Sequence, residues 1–117
     1  MDTRQLIETY YTAWTTGDLV TARGCLADDL DFKGSIDTFH NADDFLGGLK
    51  QFHRMLRGVK LLKSFFDQDG GAMLYDCETA TPAGVIRTAE FFSTAGGKIT
   101  AIRLVFDASE LRKLMSS

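Results

Sequence analysis

The sequence predicts an α+β domain in which three N-terminal helices pack on a curved antiparallel sheet. Two observations carry that reading. Apolar residues recur at three- and four-residue steps through the first half of the chain, the signature of one buried helix face. After Gly58 the period shortens to two and glycine-rich turns punctuate the chain, the signature of a strand meander. Helices first and strands afterwards is an α+β order, whereas an α/β fold would alternate them.

The first helix is expected over Asp2–Thr16, with Leu6, Ile7, Tyr10, Ala13 and Trp14 on its inward stripe. Thr15-Thr16-Gly17-Asp18 stops it and starts another, Gly17 as a C-terminal stop and Asp18 as an N-cap. Leu19, Ala22, Cys25 and Leu26 mark the buried side of this shorter second helix. Ala27-Asp28-Asp29 breaks it, and Leu30-Asp31-Phe32 forms a brief strand. Residues 33–40 read as loop. Asn41 caps a third helix with Asp43 and Asp44 in its first turn, where carboxylates suit the positive helix end. Its stripe is Phe45, Leu49, Phe52 and Leu56, and Gly58 is expected to end it. Four strands follow over 59–66, 72–81, 85–94 and 98–106, separated by Asp67–Gly71, Thr81–Gly84 and Ala95–Gly97. Asp107-Ala108-Ser109-Glu110 begins a short terminal helix or tail.

At 117 residues the chain has room for one domain, read here as residues 1–117. It is 44% hydrophobic with nine Phe, enough to build a core. The net charge of −3 argues against a nucleic-acid footprint, which is normally basic. The cations Lys50, Arg54, Arg57, Lys60 and Lys63 form a local exception, read as a helix C-terminus running into a solvated strand edge. Cys25 and Cys77 lack CxxC spacing and suit a reduced, cytoplasmic protein. No signal peptide or apolar run of membrane-spanning length is read from the sequence, so no membrane partner is expected. His40 and His53 stand too far apart, with no other ligands at metal spacing, for a zinc site. No cofactor is implied.

Three segments carry a family resemblance: Tyr10-Tyr11-Thr12-Ala13-Trp14-Thr15-Thr16-Gly17-Asp18, Leu26-Ala27-Asp28-Asp29-Leu30, and Gly97-Lys98-Ile99 through Val105-Phe106-Asp107. Their order and spacing resemble the NTF2-like superfamily, and in particular its SnoaL-like and ketosteroid-isomerase-like domains. The resemblance covers nearly the whole chain. It implies a cystatin-like, cone-shaped roll around an apolar pocket, with isomerases, cyclases, dehydratases, hydrolases and plain binding domains among the functions the superfamily hosts. It also implies a homodimer through the outer sheet face. Tyr10 matches the position where ketosteroid isomerases carry an oxyanion-stabilising tyrosine. Gly34 stands where that pattern has its proton-shuttling Asp, and Thr88 stands where it has a protonated Asp. Steroid isomerisation itself is therefore not expected.

Alternation along the strands sorts side chains into two sets. Met73, Tyr75, Cys77, Thr79, Ile86, Thr88, Glu90, Phe92, Ile102, Leu104 and Phe106 form a mainly apolar set, assigned to the concave face. Leu74, Asp76, Glu78, Arg87, Ala89, Phe91, Arg103 and Val105 form the outer face, where the charges either meet solvent or pair across a dimer. Trp14, Met73, Tyr75, Ile86, Thr88, Ile102, Leu104 and Phe106 are the expected walls of a small-molecule site. Tyr10 is the candidate donor to a carbonyl oxygen; a core tyrosine is the plainer alternative. Glu90 on the inner face is a candidate proton-transfer group, as are Asp37 and His40 in the loop before the third helix, which the family resemblance sets near the pocket entrance. The plainer alternative for Glu90 is a solvated carboxylate at the open mouth of the sheet, and for Asp37 and His40 an exposed loop. Two functions follow: a cofactor-independent isomerase, cyclase or lyase acting on an apolar carbonyl compound, or a non-catalytic ligand-binding or dimerisation module.

Overall fold

A computed structural model describes residues 1–116, with side chains through Lys113. Helix α1 spans Thr3–Thr15 and begins with a reciprocal cap: Asp2 accepts the Gln5 N–H at 2.8 Å while the Gln5 side chain accepts the Asp2 N–H at 3.1 Å. It ends at Thr16, and Gly17 follows at φ +85°, a conformation that glycine adopts without a Cβ penalty. Helix α2 covers only Leu19–Gly24, capped by Asp18 as the sequence indicates. Strand β1 (Leu26–Lys33) then runs longer than expected, taking Leu26 out of the helix and leaving Cys25 as its C-cap. Within the expected loop, Thr38–Phe39 forms a short strand β2. Helix α3 occupies Ala42–Met55 behind its Asn41 cap.

Four further strands complete the sheet: β3 (Leu56–Phe66), β4 (Gly70–Thr79), β5 (Val85–Ala95) and β6 (Lys98–Phe106). A last helix, α4, spans Ser109–Ser116. Strand β3 starts earlier than the sequence pattern suggests, because Leu56 already pairs with Thr79 and has extended backbone at ψ 130°. Gly58 consequently lies inside the strand rather than ending α3.

The sheet has six strands in the order β2-β1-β6-β5-β4-β3. The meander from β3 to β6 is antiparallel, as expected. The sheet as a whole is not, since β1 pairs parallel with β6. Local patterning cannot reveal that pairing: β1 and β6 are joined only through the intervening chain. Register shifts at Leu26/Asp31, Leu61/Lys63 and Ser93/Thr94 bend and twist the ribbon, which lets it curl over the helices.

Into this curl α1 lays its predicted stripe. Leu6, Ile7, Tyr10, Ala13 and Trp14 are all buried. Removing each large apolar side chain of that stripe from water contributes about 1.5–3 kcal/mol. The sheet answers with Met73, Tyr75, Cys77, Phe92, Ile99 and Ile102. Every member of the predicted concave set is buried or half-buried, so the face assignment holds. On the outer face Arg87 forks onto Asp76 at 2.9 and 3.0 Å, and Arg103 reaches Asp31 at 2.9 Å. These cations already have partners within the chain.

Candidate functional site

Three adjacent strands bring the polar groups of the interior together. Tyr75 on β4 lies opposite Thr88 on β5, which lies opposite Phe106 on β6. The next row on the same face is Met73, Glu90 and Leu104. Tyr75 and Glu90 are therefore diagonal neighbours, within reach of a long aromatic side chain. The Tyr75 hydroxyl donates to Glu90 Oε1 at 2.9 Å. Helix α1 closes over them with Tyr10 and Trp14, one helical turn apart on the inward stripe.

Glu90 is 3% exposed. It does not stand in water at the mouth of the sheet, the plainer alternative for a lone carboxylate; α1 and the flanking strands cover it. Burial penalises the ionised form and lifts its pKa to about 7, against a smaller lowering by the Tyr75 hydrogen bond. The same burial pushes the Tyr10 and Tyr75 phenols well above their ordinary value, and the nearby Glu90 charge adds to the effect. Both phenols thus stay protonated at neutral pH and can only donate or accept as neutral hydroxyls. Cys77, pushed up to about 12 by burial and then by Glu90, remains a thiol, as does buried Cys25. The result is one buried carboxyl that titrates near neutrality, held by the protonated Tyr75 hydroxyl, with the protonated Tyr10 phenol and Cys77 thiol close enough to feel its charge.

Aromatic packing surrounds this group. Trp14 meets Tyr75 at 5.8 Å and Phe52 at 6.5 Å between ring centroids, and Tyr10 packs edge-on against Phe92 at 5.9 Å. Ile86, Thr88 and Ile102 are buried, and Leu104 and Phe106 are half-buried. Thr88 Oγ1 points back to the Ile86 carbonyl at 3.4 Å, a long contact, and its hydroxyl also bonds the Cys77 sulfur, which lowers that thiol's pKa against the effect of burial.

Asp37 and His40 are not brought into this group. Both are exposed or at the surface and flank β2, which is separated from β5 by β1 and β6, ~14 Å along the sheet at ordinary strand spacing. Gly34 turns the chain there, its N–H donating to the Asp37 carbonyl at 2.8 Å. Of the four proposed polar residues, then, the fold unites Tyr10 with Glu90 and leaves the loop pair apart. Sequence reading places Tyr75 only among the apolar walls; its hydroxyl is the direct partner of the carboxyl. Their shared strand face is the signal that could have suggested the bond.

Two open concavities lie elsewhere on the surface. One, of about 480 Å³, sits at the β3–β4 turn between Phe65 and Phe91; the other, of about 550 Å³, follows the threonines of α1 and α2. Among the described residues no group of three or more His, Cys, Asp or Glu is placed to hold a metal ion, and no helix is long and apolar enough to cross a membrane.

The sequence pattern of the SnoaL-like domain matches residues 7–102, from the α1 stripe through the middle of β6. The chain belongs to the SnoaL-like domain family. Solved structures agree with the architecture. A protein of Kribbella flavida DSM 17836 superposes with a TM-score of 0.88 at 28% identity, over 96% of this chain and 92% of that one. An NTF2-like protein of Cytophaga hutchinsonii ATCC 33406 gives 0.80 at 19% identity, over 96% of each chain. An LEH-like epoxide hydrolase of M. tuberculosis gives 0.74 at 18% identity, over 96% of this chain and 91% of that one. None of the curated proteins matches. The fold of this SnoaL-like domain is the NTF2-like roll that the order of its segments suggests.

Proposed function

We propose that this SnoaL-like domain is a small-molecule pocket protein that shifts a proton on an apolar carbonyl compound, with Glu90 as the group that takes and returns it. The observation that carries the reading is the buried Tyr75–Glu90 pair under Tyr10. A carboxyl with a pKa of about 7 is matched to proton transfer near neutrality, being both available as a base and able to give the proton back. In its ionised form Glu90 would abstract a proton from the carbon next to the carbonyl. The electron pair left on carbon moves onto the carbonyl oxygen, where the protonated Tyr10 hydroxyl donates a hydrogen bond to the developing charge. The protonated Glu90 then gives a proton back to that carbon or to another one, so the step is balanced without a cofactor, and the carboxyl proton exchanges with solvent between turnovers. Tyr75 holds the carboxyl and restrains its pKa from rising further. The apolar walls would bind the rest of the molecule and keep water away.

The test is hydrogen exchange in heavy water. A panel of cyclic ketones and enones incubated with the protein should gain deuterium beside the carbonyl, and Glu90→Gln should abolish the gain. Equal incorporation by the Glu90→Gln variant, or none with any compound, would refute the reading.

A non-catalytic module is the second reading, and one observation favours it. Phe65, Phe91 and Val105 are 64%, 49% and 56% exposed on the outer sheet face, an apolar surface suited to covering by a second copy of the chain.

A further inference from the structure

Among the described residues, one buried side-chain polar atom has no hydrogen-bond partner: the indole Nε1 of Trp14. Trp14 is 2% exposed, so water from the surface does not satisfy it. Indole N–H is a donor only, and an unmatched buried donor is unfavourable relative to one exposed to solvent. It sits on the inward stripe one turn beyond Tyr10, with its ring against Tyr75, whose hydroxyl holds Glu90. The interior therefore has a spare donor on a ring that packs against Tyr75, the same residue that holds its buried carboxyl.

We infer that Trp14 is a specificity residue whose indole N–H is left unpartnered within the chain because it donates to an acceptor oxygen of the ligand. The ligand class is then an apolar molecule carrying a carbonyl, ether or hydroxyl oxygen on the side facing α1, and the site discriminates against the corresponding hydrocarbon. This rests on the proposed ligand-binding reading of the interior, though not on catalysis there. A pocket that leaves a buried donor unmatched rejects the analogue lacking the acceptor, because the mismatch persists in that complex. The preference expected from one such hydrogen bond is about tenfold.

Trp14 is the sole tryptophan, so the chain has a single indole N–H resonance and a single indole fluorophore. The experiment titrates ¹⁵N-labelled protein carrying Glu90→Gln with a panel of matched pairs, cyclic ketones and their hydrocarbons. The ketones should bind at least about tenfold tighter than their partners and move the indole proton downfield, the direction of a new bond to oxygen, while hydrocarbons should not. Trp14→Phe should lower the ketone preference of each pair about tenfold, leaving only what the Tyr10 hydroxyl contributes; should that variant fail to fold, the indole resonance of the parent protein still decides. An indole proton that bound ketones leave in place, or that hydrocarbons move equally, overturns the inference. So does an indole proton held upfield over the Tyr11 or Tyr75 ring, one bonded to an internal water that persists in the complexes, or a panel with no ketone preference. Because Glu90→Gln removes the proposed base, deuterium exchange and indole shift fail independently. Exchange without a shift overturns the role of Trp14 alone; a shift without exchange overturns the catalytic reading alone.

Discussion

Replacing Glu90 by Gln should turn a pH-dependent stability into a nearly flat one over the range where this carboxyl titrates. The sign follows from proton binding. Burial raises the Glu90 pKa from 4.5 in the unfolded chain to about 7 in the folded protein. Between those values the folded state holds more protons than the unfolded one, so stability falls as pH rises. The favourable contribution of the neutral carboxyl is fully present below 4.5 and is lost by about pH 7. At about 1.36 kcal/mol per pH unit, that interval amounts to roughly 3 kcal/mol. Gln keeps the shape and can still accept the Tyr75 hydroxyl, but it cannot ionise. It brings a second N–H that needs a partner, at a cost of about 1–3 kcal/mol. The Glu90→Gln variant should therefore be the less stable of the two proteins at about pH 5 and should match or overtake the parent at about pH 8. Urea unfolding at half-unit pH steps gives the difference directly. Other carboxylates, among them Asp18, Asp28, Asp76 and Asp107, have lowered pKa values and lose their contribution at more acidic pH. They are common to both proteins and drop out of the difference. A difference that stays constant from about pH 5 to about pH 8 would show that Glu90 does not titrate in the interior, and the argument for it as a base would fall with it.

Tyr75→Phe removes the hydrogen bond that lowers the Glu90 pKa, so the midpoint of the pH dependence should move upward, with about 1 kcal/mol lost at neutral pH; a downward movement in the same urea series would contradict the bond. Gly70→Ala should destabilise by about 1–3 kcal/mol in urea, because a Cβ there would stand 2.1 Å from the Phe92 carbonyl oxygen and force β4 and β5 apart; a neutral outcome would contradict that close approach. Phe91→Glu places a charge in the exposed apolar patch of the outer face. The parent should elute from a sizing column as a dimer and the variant as a monomer; identical elution would remove the dimer proposal.

Much of this architecture is legible in the sequence because local periods survive folding. The α1 stripe from Leu6 to Trp14, the Asp18 and Asn41 caps and the alternation through Met73, Tyr75 and Cys77 are short-range patterns, and the structure reproduces them. What such patterns miss depends on contacts between distant segments. The parallel pairing of β1 with β6 joins Phe32 to Ile102, and no property of either segment announces the other. Leu56 continues the helical spacing of Phe45, Leu49 and Phe52, so the pattern carries α3 too far; pairing with Thr79 turns the residue into the strand instead. Asp37 and His40 join the site only by family analogy, whereas β1 and β6 stand between their strand and β5.

Glu90 shows why a site is harder to read than a fold. Its position on the inner face follows from alternation, but whether that face is wet or dry there depends on how α1 sits across three strands. A carboxylate is usually solvated, since burying it unpaired is costly. Here one hydrogen bond from Tyr75 answers it, and no cation among the described residues pairs with it. An interior selected only for stability would replace this carboxyl with Met or Leu, because a buried polar group gains nothing over a well-packed apolar one. Glu90 and the unmatched indole of Trp14 both depart from that rule, and both meet Tyr75, one at its hydroxyl and the other against its ring. Two unfavourable polar groups gathered on one aromatic side chain are what a ligand with both an acceptor oxygen and an exchangeable proton would relieve, and that coincidence is the strongest reason to look for one.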